Sequence, residues 1–307
     1  MAARNIESIC RLTALQEGVL FHTLEAARDG VYVNQYSCDF KQAVDLTRLQ
    51  QAWDRVAKRH GALRCLFTWE RREKPLQIVR SKVELPWQTE NWSEFSEKEQ
   101  ALRWASLLAR DRDAGFDLER PPLIRLHIVQ LGDAHFRFLL TFHHILLDGW
   151  SLRLLMTEAL QIYANGPDVC ASMPKPGAFS DFVEWLDRQN TDRAEKHWQE
   201  VLRGFKAASR LPFDAARGEP QAALQQELSI SAELTEQISA MARAERLTLN
   251  SVVLGAWAML LARHAAVDDV VFGATLSGRP PTFEGADRVA GLFINTLPLR
   301  VRLDQDI

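Results

Sequence analysis

The chain has 307 residues, 47% of them hydrophobic, with a formal net charge of -3 at pH 7 and four cysteines, Cys10, Cys38, Cys65 and Cys170. That length and apolar content support a sizeable core with room for two lobes, while the lack of a basic surplus argues against a nucleic-acid partner. Scattered cysteines without a C-x-x-C pair argue against a zinc site or a disulfide framework and read as packing residues in a reducing compartment.

In chain order, the opening MAARNIESICRL lacks the apolar core of a signal peptide, and no apolar run is long enough to span a bilayer. The expectation is a cytoplasmic protein with no membrane partner. LQEGVLFHTLEAARDG sets Leu15, Val19, Leu20 and Leu24 at helical spacing and closes on Gly30 as a C-cap. VYVNQYSCDF is β-branched and aromatic and predicts a strand. A helix follows over DLTRLQQAWDRVAKRHG, with Leu49, Trp53, Val56 and His60 on one face. ALRCLFTWE and KPLQIVR predict strands, residues 97–110 a polar helix, and PLIRLHIVQL with HFRFLLTFHH a hairpin across GDA. From Ser151, the stripe Leu152, Leu155, Met156, Ala159 and Tyr163 predicts a helix that stops at ANGP.

These elements make residues 1–165 an α+β lobe, with the Pro- and Gly-rich residues 166–178 as a connection and 179–307 as a second lobe. The second lobe carries FSDFVEWLDRQ, a helix to about Arg203, the helix LNSVVLGAWAMLLARH and the strand DDVVFGATLSGR. Ala52-Trp53 and Arg59-His60 recur at the same spacing as Ala256-Trp257 and Arg263-His264, each on a helix leading into a strand.

The stretch LLTFHHILLDGWS carries the chemistry. Successive strand side chains point to opposite faces, so His143 and His144 cannot address one site and at most one is catalytic. For the same reason they cannot chelate one metal ion, and His143 reads as structural. An imidazole held by local packing is a competent general base near neutral pH. Asp148 or Ser151 caps the following helix, and Gly149 permits a close backbone approach. No G-x-S-x-G elbow is present, TLSGR around Ser277 lacks its context, and no glycine loop fits a phosphate or a dinucleotide.

HHILLDG resembles the HHxxxDG signature of the condensation domains of nonribosomal peptide synthetases, within the chloramphenicol-acetyltransferase-like superfamily. LTALQEGVLFH, RHGALRCLF, FSDFVEWL, GATLSGRPP and GLFINTLPLRV match further motifs in order. The resemblance implies an α/β sandwich of two acetyltransferase-like lobes in a V, with a tunnel between them. It implies amide formation between donor and acceptor thioesters held on phosphopantetheine arms of two peptidyl carrier proteins. No cofactor is bound by the domain itself, and an adenylation domain is the neighbour it implies. By the family pattern His144 faces the tunnel, either removing a proton from the amine or orienting the intermediate. His143, Asp148, Gly149 and Arg64 support it, with Asp148 paired to Arg64, and Trp150, Ser277, Arg279 and Asn295 line or brace the tunnel.

The opening LTALQEGVLFH resembles the subclass whose donor ends in a D-residue. A non-catalytic platform that recruits partner proteins and a stand-alone acyltransferase are the rival readings, and the intact His143, His144, Asp148 and Gly149 favour an enzyme. In the family the second lobe continues past GLFINTLPLRV, so residues 179–307 are expected to be a partial lobe and condensation by residues 1–307 alone is expected to be weak.

Overall fold

The computed structural model describes residues 5–25, 30–205 and 227–303. The chain divides into two compact units, one formed by Met1–Gln189 with Ser277–Asn295 and the other by Asn190–Leu276 with Thr296–Ile307.

In the first unit the order is β1 (Ile6–Arg11), α1 (Ala14–Glu25), β2 (Val33–Phe40), α2 (Leu46–Arg59), β3 (Cys65–Thr68), β4 (Leu76–Arg80), β5 (Trp87–Asn91), α3 (Glu97–Asp113), β6 (Ile124–Gly132), β7 (His135–His143), α4 (Gly149–Asn165) and α5 (Phe179–Asp187). A three-stranded sheet runs β1-β4-β3 and a four-stranded sheet runs β2-β7-β6-β5. The predicted β6–β7 hairpin is present, β2 flanks it antiparallel with Val33 opposite His143, and β5 adds the parallel edge. Strands β1 and β5 were not expected from sequence. The helix expected to reach Gly30 is described to Glu25, with residues 26–29 outside the described residues, and Gly30 has a left-handed φ of 59°.

Local signals explain the helices around the larger sheet. Asp45 caps α2 by accepting from the Arg48 amide, and Leu49, Ala52, Trp53, Val56 and Ala57 form its buried face. Ser96 and Glu99 close a capping box on α3. On β7, Phe136, Phe138, Leu140 and Phe142 enter the main core, where Trp53 stacks on Phe138 at 5.9 Å. Leu139 enters a second cluster with Val129, Leu131, Trp92 and Leu107 of α3. Burial on both faces explains why LLTF reads as a continuous apolar run. The sheet is thereby clamped, and the end of β7 is held firmly in place.

The boundary expected at 166–178 is corrected. Phe179, Phe182 and Val183 of α5 pack with Val289 and Phe293, the Phe182 and Phe293 rings 4.3 Å apart, so α5 and the returning segment both belong to the first unit.

The second unit contains α6 (Thr191–Val201), α7 (Ala232–Ala244), α8 (Leu249–Ala265) and β8 (Asp269–Leu276), which pairs with β9 (Asn295–Arg302). Ala258, Leu261, Ala262 and Val270 form its core, and Arg300 clasps Asp269 at 2.5 Å. The repeated tryptophans have unlike surroundings: Trp53 is 1% exposed and Trp257 is 43% exposed. Among the described residues no helix is long and apolar enough to cross a membrane.

Candidate active site at the end of β7

The two histidines have different surroundings: His143 is the last residue of β7, and His144 follows it in the turn. His143 is buried on all sides. Its Nδ1 accepts the Ile145 amide at 3.2 Å, so the proton sits on Nε2, which is 3.3 Å from Thr23 Oγ1; that hydroxyl in turn donates to the Val19 carbonyl at 2.7 Å. Both nitrogens are used in the neutral ring. Burial, with His144 beside it, pulls the His143 pKa down to about 4.

This depression sets an acid sensitivity. The folded chain keeps His143 neutral down to about pH 4, whereas an unfolded imidazole takes its proton near pH 6.5, so stability is lost as pH falls through that window and is retained above it. The loss is up to about 3 kcal/mol. Urea unfolding between pH 7 and pH 4.5 should show it, and His143→Gln should flatten the slope by about one proton. An unchanged slope would assign the acid sensitivity to other groups.

His144 is half-buried. Its backbone amide donates to the Tyr32 carbonyl at 2.8 Å, and its Nδ1 lies 2.8 Å from the Leu147 carbonyl. A carbonyl only accepts, so Nδ1 carries the proton and the neutral ring presents the Nε2 lone pair. Among the described residues no hydrogen bond occupies Nε2.

Asp148 fixes the loop that follows. It is 1% exposed and caps α4 through the Ser151 amide at 2.8 Å. The Arg279 guanidinium reaches its two oxygens at 3.0 and 3.2 Å, and the Phe293 amide donates to it at 3.2 Å. Ser151 Oγ donates to the Gly291 carbonyl at 2.8 Å, while accepting from the Gly291 amide at 3.0 Å and from Arg279 at 2.8 Å. Arg279 also donates to the Ala286 and Val289 carbonyls and lies 4.0 Å over the Phe293 ring. Burial pulls its pKa below the ordinary arginine value, opposed by the Asp148 carboxylate. Gly278 makes the reach possible: its φ is 60°, and a Cβ there would strike the Phe293 carbonyl.

The expected pairing of Asp148 with Arg64 is corrected. Arg64 binds Glu7 at 2.5 and 3.2 Å, donates to the Ala57 carbonyl at 2.9 Å and also to that of Arg80, which ties the end of α2 to β1 and β4. Arg279, expected to line or brace a tunnel, is the buried partner of Asp148. Trp150, Ser277 and Arg279 do share an open pocket of about 520 Å³ with Phe283 and Asp287, and Trp150 Nε1 donates to the Asp287 carbonyl at 3.0 Å. Neither His144 nor Asn295 is in that lining, and Asn295 is exposed at the start of β9. Gly149 is exposed, with open space where a Cβ would stand. Sequence reasoning gave Ser151 a capping role alone and missed its link to Gly291; its place three residues after an N-cap aspartate was the available signal. Among the described residues no three His, Cys, Asp or Glu side chains gather as a metal site.

The family model for the condensation domain matches residues 6–307. Linear gramicidin synthase subunits C and B of Brevibacillus parabrevis are 39% and 40% identical to the chain, covering 98% and 97% of it. The chain spans only 4% and 6% of those two relatives' own lengths. Two solved structures share the mixed helix and sheet fold at 20% identity. One is the first condensation domain of the calcium-dependent antibiotic synthetase in complex with substrate analogue 3a, with a TM-score of 0.77 over 98% of this chain and 71% of that one. The other is holo-AB3403, a four domain nonribosomal peptide synthetase bound to AMP and glycine, with a TM-score of 0.78 over 98% of this chain and 23% of that one. With the family model matched over nearly its whole length, the chain belongs to the condensation-domain family.

Proposed function

We propose that this protein joins a donor aminoacyl or peptidyl thioester to an acceptor aminoacyl thioester, each delivered on the phosphopantetheine arm of a carrier protein that an adenylation domain has loaded. The observation that carries the reading is the fixed tautomer of His144, with Nδ1–H held by the Leu147 carbonyl and the Nε2 lone pair unengaged. The acceptor nitrogen attacks the donor carbonyl carbon, the C–N bond forms, and the C–S bond breaks with its electron pair passing to the donor arm's sulfur. The proton shed by nitrogen passes to His144 Nε2 and then to the departing thiolate. An α-amino group titrates near pH 8, so about a tenth of it is already unprotonated at pH 7, and placement of two tethered reactants supplies a large share of the rate. The Asp148–Arg279 clasp holds the loop that aims the ring, and the open space at Gly149 leaves room for a substrate arm to pass the backbone.

The test uses the protein expressed from its natural reading frame with one donor-loaded and one acceptor-loaded carrier. Intact-mass spectrometry should show the acceptor carrier heavier by the donor acyl group and the donor carrier returned as its free thiol. A donor ending in a D-residue should turn over faster than its L-diastereomer, in keeping with the LTALQEGVLFH opening. Binding of both carriers with no acyl transfer would make the protein a recruiting platform instead, and an L-preference would reject the donor assignment.

A further inference from the structure

We infer that Gln16 is a positioning residue for His144, acting through the peptide that follows it. Gln16 stands at the third position of α1 and is 1% exposed, a depth at which an amide must be fully paired. Its Oε1 accepts from the Thr13 amide at 3.0 Å while the Thr13 hydroxyl accepts from the Gln16 amide at 3.3 Å, a capping box at the start of α1. Its Nε2 donates to Gln77 Oε1 at 2.9 Å and to the Ile145 carbonyl at 3.2 Å, over 129 residues of chain. The amide orientation is forced, because the Thr13 N–H only donates and the Ile145 carbonyl only accepts.

Ile145 is the residue after His144, and it is gripped from both ends: its N–H donates to His143 Nδ1 and its C=O accepts from Gln16. Gln77 extends the chain, donating to Cys65 Sγ at 3.1 Å, so β3, β4, α1 and the loop are joined by one buried polar row. The Gln16 side chain fixes the start of the same short loop whose Leu147 carbonyl holds His144 Nδ1. If the Ile145 peptide rotates, the Leu147 carbonyl moves with it, and the ring loses both its aim and its tautomer. A capping residue alone would need no bond to the loop, and that second bond is the reason to assign Gln16 more than a helix start.

The inference rests on the reading of His144 as the amide-forming group, and its test separates the two. Gln16→Met removes the donor at similar side-chain length, and Thr13→Ala removes the cap while leaving the bond to Ile145. In Gln16→Met, kcat for carrier-bound substrates should fall on the order of 10- to 100-fold with KM for each carrier within about threefold, because misaim acts on the chemical step rather than on docking. The nitrogen-15 shifts of the His144 ring should change from a clean Nδ1–H tautomer to a mixture. Thr13→Ala should change neither. Should Gln16→Met fail to fold, Gln77→Met removes one acceptor of the Gln16 amide, leaves the capping box and the bond to Ile145 in place, and should give a smaller loss in the same direction. Equal effects of Thr13→Ala and Gln16→Met, or an unmoved tautomer in a folded Gln16 variant, would overturn the inference. If the parent protein makes no amide, the functional reading fails by itself and the tautomer comparison still decides the role of Gln16.

Discussion

Asp148→Ala should lower folding stability by about 3 to 5 kcal/mol, the range for stripping one partner from a buried ion pair. The substitution removes the cap on α4, leaves the Phe293 amide without its acceptor and strands the Arg279 guanidinium, whose side chain is 7% exposed. Asp148→Asn should cost less, since an amide oxygen can still serve the Ser151 and Phe293 donors. Arg279→Leu should cost a similar amount to Asp148→Ala, because it orphans the carboxylate and two backbone carbonyls together. Chemical denaturation of the two single variants and the double variant measures the coupling, which should exceed about 1 kcal/mol for groups in direct contact. The matching cycle between Asp148 and Arg64 should give none, since Arg64 is committed to Glu7, Ala57 and Arg80. Coupling to Arg64 in place of Arg279 would contradict the pairing seen in the structure.

That correction shows which information a single chain exposes. The two-residue period of a strand sends one of two adjacent side chains to the core, which made a buried histidine legible in the sequence; that β7 ends at His143 and leaves His144 in the turn was not. The partner of Asp148 is a different problem, because Arg64 and Arg279 are equally plausible cations by type and the choice is made by a contact spanning 131 residues. Strand β1 was missed because IESICR has neither alternation nor β-branched density, and it exists through its pairing with β4. Strand β5 was missed because WQTEN is polar, as an edge strand facing solvent can be. Helix α7 (Ala232–Ala244) passed unread although Ser231 caps it. The boundary between units was also hidden: the Pro- and Gly-rich segment 166–178 looks like a linker, but the phenylalanines that follow it pack against a stretch more than a hundred residues later. Gln16 had a readable signature in T-x-x-Q, which announces a capping box; its reach to Ile145 had none.

The most direct measurement is the amide-forming rate of His144→Ala beside His143→Ala, both assayed with donor- and acceptor-loaded carriers in the natural reading frame. Removing a general base costs about 10²- to 10⁴-fold in rate, so His144→Ala should lose nearly all turnover while its melting temperature and carrier affinity stay at parental values. His143→Ala should do the reverse: it loses the Ile145 and Thr23 contacts, melts earlier, and keeps much of its rate at temperatures where it is folded. Parental turnover by a folded His144→Ala protein would contradict the assignment of the chemistry to His144.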